Sequence, residues 1–407
     1  MKKLMVLGAG ADQVPLIKRA KELGHYVITV SPGDYPGMKL ADKVIDCDIR
    51  DEEGVFLAAQ AEKVDGIISD KTDMPLLAMA NAAEKLGLPG NRYECVKLFV
   101  DKYLMREKCK ELGIATIDYC RASSADEVRA FFDKVGAPII IKPVDSCASK
   151  GVTRIDSADE IAPAFEEASQ YSMGGDVIVE QFIVGTELEV DSIVLGGNVK
   201  LLMYADLESF NLPNVFASTT RLYPSVQPDD VVERLLDLDR RIVEGFGLTQ
   251  GLTHNEYIMD RSGKIHLLEV AARGGGTYIS TNIARLQTGI DTSDFLVNAA
   301  LGTIDELPEF ETCQCHSGYV AFYIPHGKVI SVDGVDEVKA LPFVDQTTMD
   351  TIHLGMEASS FHDKRLRHAV ILYGDSREQL LERIGVVRDM LQIKVETPEG
   401  VKGLIWE

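Results

Sequence analysis

The sequence predicts a chain of mixed α/β and α+β class: a parallel-sheet unit in front, an antiparallel α+β middle, and a small α+β unit at the end. Over residues 3–90 short apolar strands alternate with amphipathic helices, the pattern of a parallel sheet with helices on both faces. Residues 176–207 and 253–276 read as strands joined by tight turns, as antiparallel pairs are. The 407 residues exceed one ordinary core; at roughly 150 residues per domain they make two to four.

In order, "KLMVLG" is a strand, "QVPLIKRAKELG" an amphipathic helix, "YVITVS" a strand and "ADKVIDCD" a short strand. Helix 51–63, strand "GIISD" and helix "MPLLAMANAAEKLG" follow, and "GLPGN" at 87–91 is a turn-rich break. Residues 92–112 read as helical, and "APIIIKPV" as a buried strand ending in the loop "SCASKGV". Residues 176–207 read as successive strands with "GGN" as a hairpin turn. Residues 228–248 form a long helix with Pro228 at its start and acids in its first turn. Residues 253–276 form a β-hairpin turning at "RSGK". The tail, 306–407, carries strands "SGYVAFYI" and "HAVILYG" and helix 376–392. Three consecutive domains are expected: 1–95, 96–305 (in parts 96–183 and 184–305) and 306–407.

Net charge is −22, which repels phosphate backbones and anionic lipid, so neither nucleic acid nor a membrane is an expected partner. The seven cysteines, Cys47, Cys95, Cys109, Cys120, Cys147, Cys313 and Cys315, are scattered and read as reduced thiols of a cytoplasmic protein. No apolar run nears the roughly 20 residues of a membrane span. "MKKLMVLGAGA" has too short an apolar core for a signal peptide, so the N-terminus is expected in the cytoplasm.

"VLGAGADQVPLI" carries two glycines of a dinucleotide fingerprint, Gly8 and Gly10. The third place holds Gln13, and the second strand ends at Ser31, with Asp34 three residues into a turn. Both checks for NAD fail. Either the turn touches a substrate anion or it is only a tight turn.

Lys142 ends a buried strand, where an ammonium needs an anion. The loop after it, Ser146, Cys147, Ala148, Ser149, Lys150 and Gly151, is small enough for backbone amides to close over phosphates, though it is not spelled as a P-loop. A snorkelling lysine before a surface loop is the plain alternative. Glu180 and Glu187 flank an apolar stretch; they could hold an adenine amino group and ribose hydroxyls, or lie on a solvated strand face.

The sharpest element is the last hairpin. A turn centred on Ser262 and Gly263 pairs positions whose numbers total 525, and Glu256 and Glu269 do. Facing carboxylates repel unless compensated, and their oxygens suit Mg²⁺. Arg273 precedes three glycines, so its guanidinium can lie against developing phosphoryl charge. His254 reads as a satisfied structural histidine rather than a base. Arg221 lies in the polar segment 208–225, where a surface arginine is the plain reading. His316 and His326 read as structural.

Taken together, these stretches resemble the ATP-grasp superfamily, in particular its carboxylate–amine ligases. Residues 1–95 look like the leading (pre-ATP-grasp) domain, whose G-x-G-x-x-Q occurs as Gly8, Gly10 and Gln13. "VDKYLMREKCKELGI" resembles the entry helix, with Lys102 as its ATP contact. "PIIIKPVDSCASKGV" resembles the second lysine and the phosphate-covering loop, and "VEQFIVGTELEV" the adenine hinge, with Glu180, the backbone of Phe182 and Ile183, and Glu187 on the ribose. The hairpin resembles the paired-carboxylate metal site. Many members read E-x-N-x-R there; Ala271 stands in this chain where the metal-binding Asn would be, a spelling that resembles the L-amino-acid (dipeptide) ligases.

The resemblance implies a central two-subdomain ATP-grasp fold, ATP with Mg²⁺ (or Mn²⁺), an acyl phosphate, and an amine acceptor. Lys142 and Arg273 would be catalytic. Gly8, Gly10, Arg221 and Gly275 would face substrate. The family also leads one to expect a homodimer. Alternatives are a bicarbonate-using ATP-grasp carboxylase, an NAD(P)-dependent oxidoreductase and a non-catalytic nucleotide sensor.

Overall fold

A computed structural model describes residues 1–146, 149–359 and 367–407. Its contacts divide the chain into two compact units: 1–202 with 228–276 and 290–309, and 203–227 with 277–289 and 310–407.

The first unit opens with the expected parallel sheet. Strands β1 (Lys3–Leu7), β2 (Tyr26–Val30), β3 (Lys43–Ile45) and β4 (Gly66–Ile68) lie in the order β3-β2-β1-β4. Between them run α1 (Val14–Glu22) and α2 (Glu52–Glu62), and α3 (Leu76–Leu86) follows. Met5, Leu7, Ile28 and Val30 are fully buried, as continuous apolar strands in a covered sheet require. Gly66 is small for a reason: a Cβ there would stand 2.3 Å from the Ala300 carbonyl oxygen.

The opening turn differs from an anion cradle. The Gly8 N–H donates to Val30 O at 2.8 Å, and the Gly10 N–H donates to Gln13 Oε1 at 3.1 Å. Gln13 Nε2 in turn donates to Asp70 O at 2.8 Å. Both amides that were to approach a substrate are spent inside the protein, and Gly8 contributes its left-handed φ of +91°. Gln13, the residue that breaks the fingerprint, fills the turn.

The predicted helix 92–112 is two helices, α4 (Tyr93–Val100) and α5 (Lys102–Glu111). Asp101 is extended and caps α5, its Oδ1 accepting from the Tyr103 and Leu104 N–H groups at 2.8 and 3.0 Å. The Lys102 N–H also donates to Val144 O at 2.9 Å. An antiparallel sheet follows in the order β5-β8-β6-β7, built from β5 (Tyr119–Ala122), β6 (Ile139–Pro143), β7 (Thr153–Ile155) and β8 (Val177–Gln181). Helices α6 (Ala125–Val135) and α7 (Ile161–Gln170) cover its apolar face through Val128, Phe131, Ile161 and Ala168. Strand β9 (Gly185–Leu195) leads to β10 (Asn198–Ser209), within which the unit boundary falls. After β11 (Ser218–Tyr223) and helix α8 (Asp229–Phe246), strand β12 (Gln250–Asp260) pairs antiparallel with β9 on one side and β13 (Ile265–Glu269) on the other.

The second unit groups the tail with two excursions from the middle, which differs from the expected consecutive division at 95/96 and 305/306. Strand pairing is the reason: β11 bonds to the end of β10 and to β14 (His316–Tyr323), which continues to Arg367–Gly374 and Val344–Thr347.

Gly66→Ala should lower stability by about 2 kcal/mol, the scale of overpacking a fitted core. Urea unfolding checks this: an unchanged midpoint would refute the close approach to Ala300.

Candidate active site

The hairpin brings its two carboxylates together. Glu256 faces Glu269 in the ladder, and a bulge follows at Glu256/Tyr257, so that Tyr257 pairs with Leu267. The predicted register therefore holds at the carboxylates and slips by one beyond them. Both stay open to solvent, at 29% and 42% side-chain exposure. Lys102 Nζ lies 3.0 Å from Glu269 Oε1 and donates to Ser146 O at 2.7 Å, so the start of α5 meets the hairpin and the loop after β6.

Strand β9 extends this acidic face. Glu189 pairs opposite Glu256 and Asp191 opposite His254. Side chains alternate across a strand, so Glu187, Glu189, Asp191, His254 and Glu256 share one face. The other face of β12 is spent on the core. Asn255 Nδ2 and the Tyr257 hydroxyl donate to Asp239 Oδ1 at 2.7 and 2.8 Å, tying the hairpin to α8. Burial pushes the Asp239 carboxyl up to about 6 against the lowering effect of those donors.

Lys142 does meet an anion, and that anion is Glu180, 2.8 Å away. Arg106 Nε takes the other Glu180 oxygen at 2.6 Å, while its Nη1 and Nη2 donate to Leu267 O and Leu268 O at 2.6 and 3.2 Å. Glu180 is 1% exposed, so the solvated-face alternative fails. Burial would raise its carboxyl, but Arg106 and Lys142 bring it down to about 2. Both Glu180 oxygens are thus engaged by cations rather than turned toward an adenine. At the hinge, the Phe182 N–H donates to Pro138 O at 3.1 Å. Glu187 is half-buried on β9, and Ile183 is half-buried in the link before it.

Of the loop, Cys147 and Ala148 lie outside the described residues. Ser149 and Gly151 adopt φ of +52° and +66°, and Lys150 is exposed. Arg273, 15% exposed, is gripped by Asp73: Nε–Oδ1 and Nη2–Oδ2 are both 3.0 Å. The Gly274 N–H donates to Asp70 Oδ1 at 2.8 Å, with Gly275 buried beside it. Burial would lower the guanidinium's pKa, but Asp73 raises it further, so Arg273 stays charged.

Arg221 belongs to the second unit. Its Nε donates to Ser218 Oγ at 3.1 Å, and Ser218 Oγ lies 2.6 Å from the Tyr319 hydroxyl. Arg367 reaches Ser218 O at 3.1 Å and Thr277 Oγ1 at 2.8 Å. Burial would raise the Tyr319 phenol, yet Arg221 and Arg367 hold it below its ordinary value.

Sequence reading missed Arg106, Asp73, Asp70, Glu189 and Asp191. "ELEVD" did carry a signal for the last two: acids at every second place of an apolar strand. Nothing local marks Arg106 or Asp73.

The family model described as ATP-grasp domain matches residues 135–282. Alanine–anticapsin ligase of Bacillus subtilis (strain 168) is 26% identical over 267 residues, 60% of this chain and 55% of that protein. The chain thus spans just over half the length of that relative. The crystal structure of L-amino acid ligase from Bacillus licheniformis superposes with a TM-score of 0.82 at 22% identity, covering 98% of this chain and 99% of that one. Biotin carboxylase from Campylobacter jejuni superposes at 0.73 with 17% identity, covering 98% and 92%.

Two pH effects of opposite sign are expected. Glu180, lowered from 4.5 to about 2, adds stability above pH 4.5 that is lost as pH falls through 2. Asp239, raised from 3.8 to about 6, adds stability below pH 3.8 that is lost as pH rises through 6. Chemical denaturation across pH should therefore show Glu180→Gln flattening the acid limb and Asp239→Asn the limb between 4 and 6; an unchanged wild-type curve in either variant contradicts that assignment.

Proposed function

Residues 135–282 are an ATP-grasp domain, and on that premise we propose that the chain is an ATP-dependent carboxylate–amine ligase forming an amide or peptide bond. The observation that carries the reading is the facing pair Glu256 and Glu269, with Lys102 3.0 Å from the second. The pair offers only oxygen, the donor set of Mg²⁺, and its repulsion is what a divalent cation relieves. Held there, Mg²⁺ (or Mn²⁺) would supply charge neutralisation to phosphate oxygens.

A carboxylate oxygen of one substrate attacks the γ-phosphorus of ATP in line. The bond to the ADP oxygen breaks, leaving an acyl phosphate. The amine nitrogen of the second substrate then attacks the acyl carbon, phosphate leaves with the bonding electrons, and the nitrogen loses a proton. Lys102 and Lys142 hold phosphate oxygens, and Glu180 positions the Lys142 ammonium. Arg273, set by Asp73, stabilises charge on the transferring group. The described part of the loop, Ser146 and residues 149–151, would lie over the site and keep water from the acyl phosphate. Arg221, beside Arg367 and Tyr319, grips a substrate carboxylate.

Ala271 puts no ligand where the resemblance expects Asn: it is 2% exposed, and its N–H is taken by Asn255 Oδ1 at 3.2 Å. The bicarbonate reading differs at the first step, where bicarbonate replaces the substrate carboxylate as the nucleophile toward the γ-phosphorus, so the assay must contain both.

Phosphate release from ATP and Mg²⁺ should require pooled L-amino acids and not bicarbonate. Glu269→Ala should reduce it at least about 100-fold, the scale of losing one preorganised charge contact. No release with any carboxylate and amine would refute the ligase reading. Release that survives the substitution would refute the metal assignment.

A further inference from the structure

We infer that Glu189, Asp191 and His254 form a second divalent cation site, distinct from the Glu256/Glu269 pair and suited to a first-row transition ion. The three side chains are 0%, 2% and 7% exposed. One donor atom from each lies within 4.8 Å of the others. His254 Nδ1 is 2.8 Å from Asp191 Oδ1 and 3.5 Å from Glu189 Oε1. Donors on one tetrahedral ion stand about 3.3 Å apart, given bonds of roughly 2.0–2.1 Å. Those two separations bracket that value, so an ion needs only small side-chain shifts.

Charge points the same way. Two carboxylates and one imidazole carry −2, or −1 if the ring is protonated. Bringing like charges together in a buried place is costly. Glu256, opposite Glu189 in the ladder, adds to the excess rather than relieving it. Asp191 Oδ2 is buried and has no hydrogen-bond partner among the described residues, which few native carboxylates tolerate. Nor is the cluster a cross-strand accident of one register, because β9 and β12 pair regularly from Gly185 to Leu195. Imidazole beside two carboxylates selects Zn²⁺ or Mn²⁺ over Mg²⁺. That separates this site from the oxygen-only pair, from which it is divided by His254 Nε2, 4.0 Å from Glu256 Oε1.

The inference does not rest on the ligase reading. The test loads chelator-treated full-length protein with Zn²⁺ without nucleotide, dialyses it, and measures retained metal and its X-ray absorption spectrum. Wild type should retain about one ion per chain, with one imidazole and otherwise oxygen donors. Glu269→Gln should retain it equally. Asp191→Asn should bind at least about 100-fold more weakly, since loss even of a supporting partner costs 10–100-fold. No retained zinc, a sulfur-dominated shell, or equal retention by Asp191→Asn would overturn the site. If that variant does not fold, the wild-type spectrum still decides.

Discussion

Arg106 and Glu180 form an ion pair at 2.6 Å with side-chain exposures of 0% and 1%, and much of the site's geometry follows from it. Two buried charges cost several kcal/mol each unless every remaining donor and acceptor finds a partner. Here they do. The guanidinium spends its other nitrogens on the carbonyls of Leu267 and Leu268, and the carboxylate spends its second oxygen on Lys142. One network thereby fixes α5 against β8, sets the Lys142 head, and anchors β13 two residues before Glu269. Removing any single member would strand a charge, so these parts hold together or fail together.

Around that network the sheet of β9, β12 and β13 is divided by chemistry. One face is neutralised internally, with Asn255 and Tyr257 satisfying Asp239. The other gathers acids: Glu187, Glu189, Asp191, Glu256 and Glu269. Lys102 pairs with the last of these. Cross-strand like charges oppose folding unless they are compensated. The open edge of this face offers oxygen alone, and its buried end adds an imidazole.

Much of this was legible in the sequence because it rests on local rules. Alternating apolar strands and helices gave the parallel sheet, the "RSGK" turn gave the hairpin register at Glu256 and Glu269, and the broken fingerprint at Gln13 argued against a dinucleotide. Other features were not local. Arg106 sits in a strongly polar helix, and its partners are 74 and more residues away. Asp101 looked like one more helix residue, although its extended backbone ends one helix and its side chain starts the next. Glu180 resembled a ligand contact because strand spacing cannot tell a carboxylate turned to solvent from one turned to an arginine. The second compact unit was hidden because strands from distant segments pair only in three dimensions.

The Asp73–Arg273 clamp joins residues 200 positions apart. Arg273 belongs to the last hairpin by sequence, but its orientation is written in the loop after β4. The leading α/β segment is therefore not an interchangeable cassette. A chimera that grafts a foreign opening segment onto this chain inherits the arginine without the carboxylate that aims it, even if both halves fold. A substitution at position 73 therefore acts on the arginine 200 positions away without touching the hairpin.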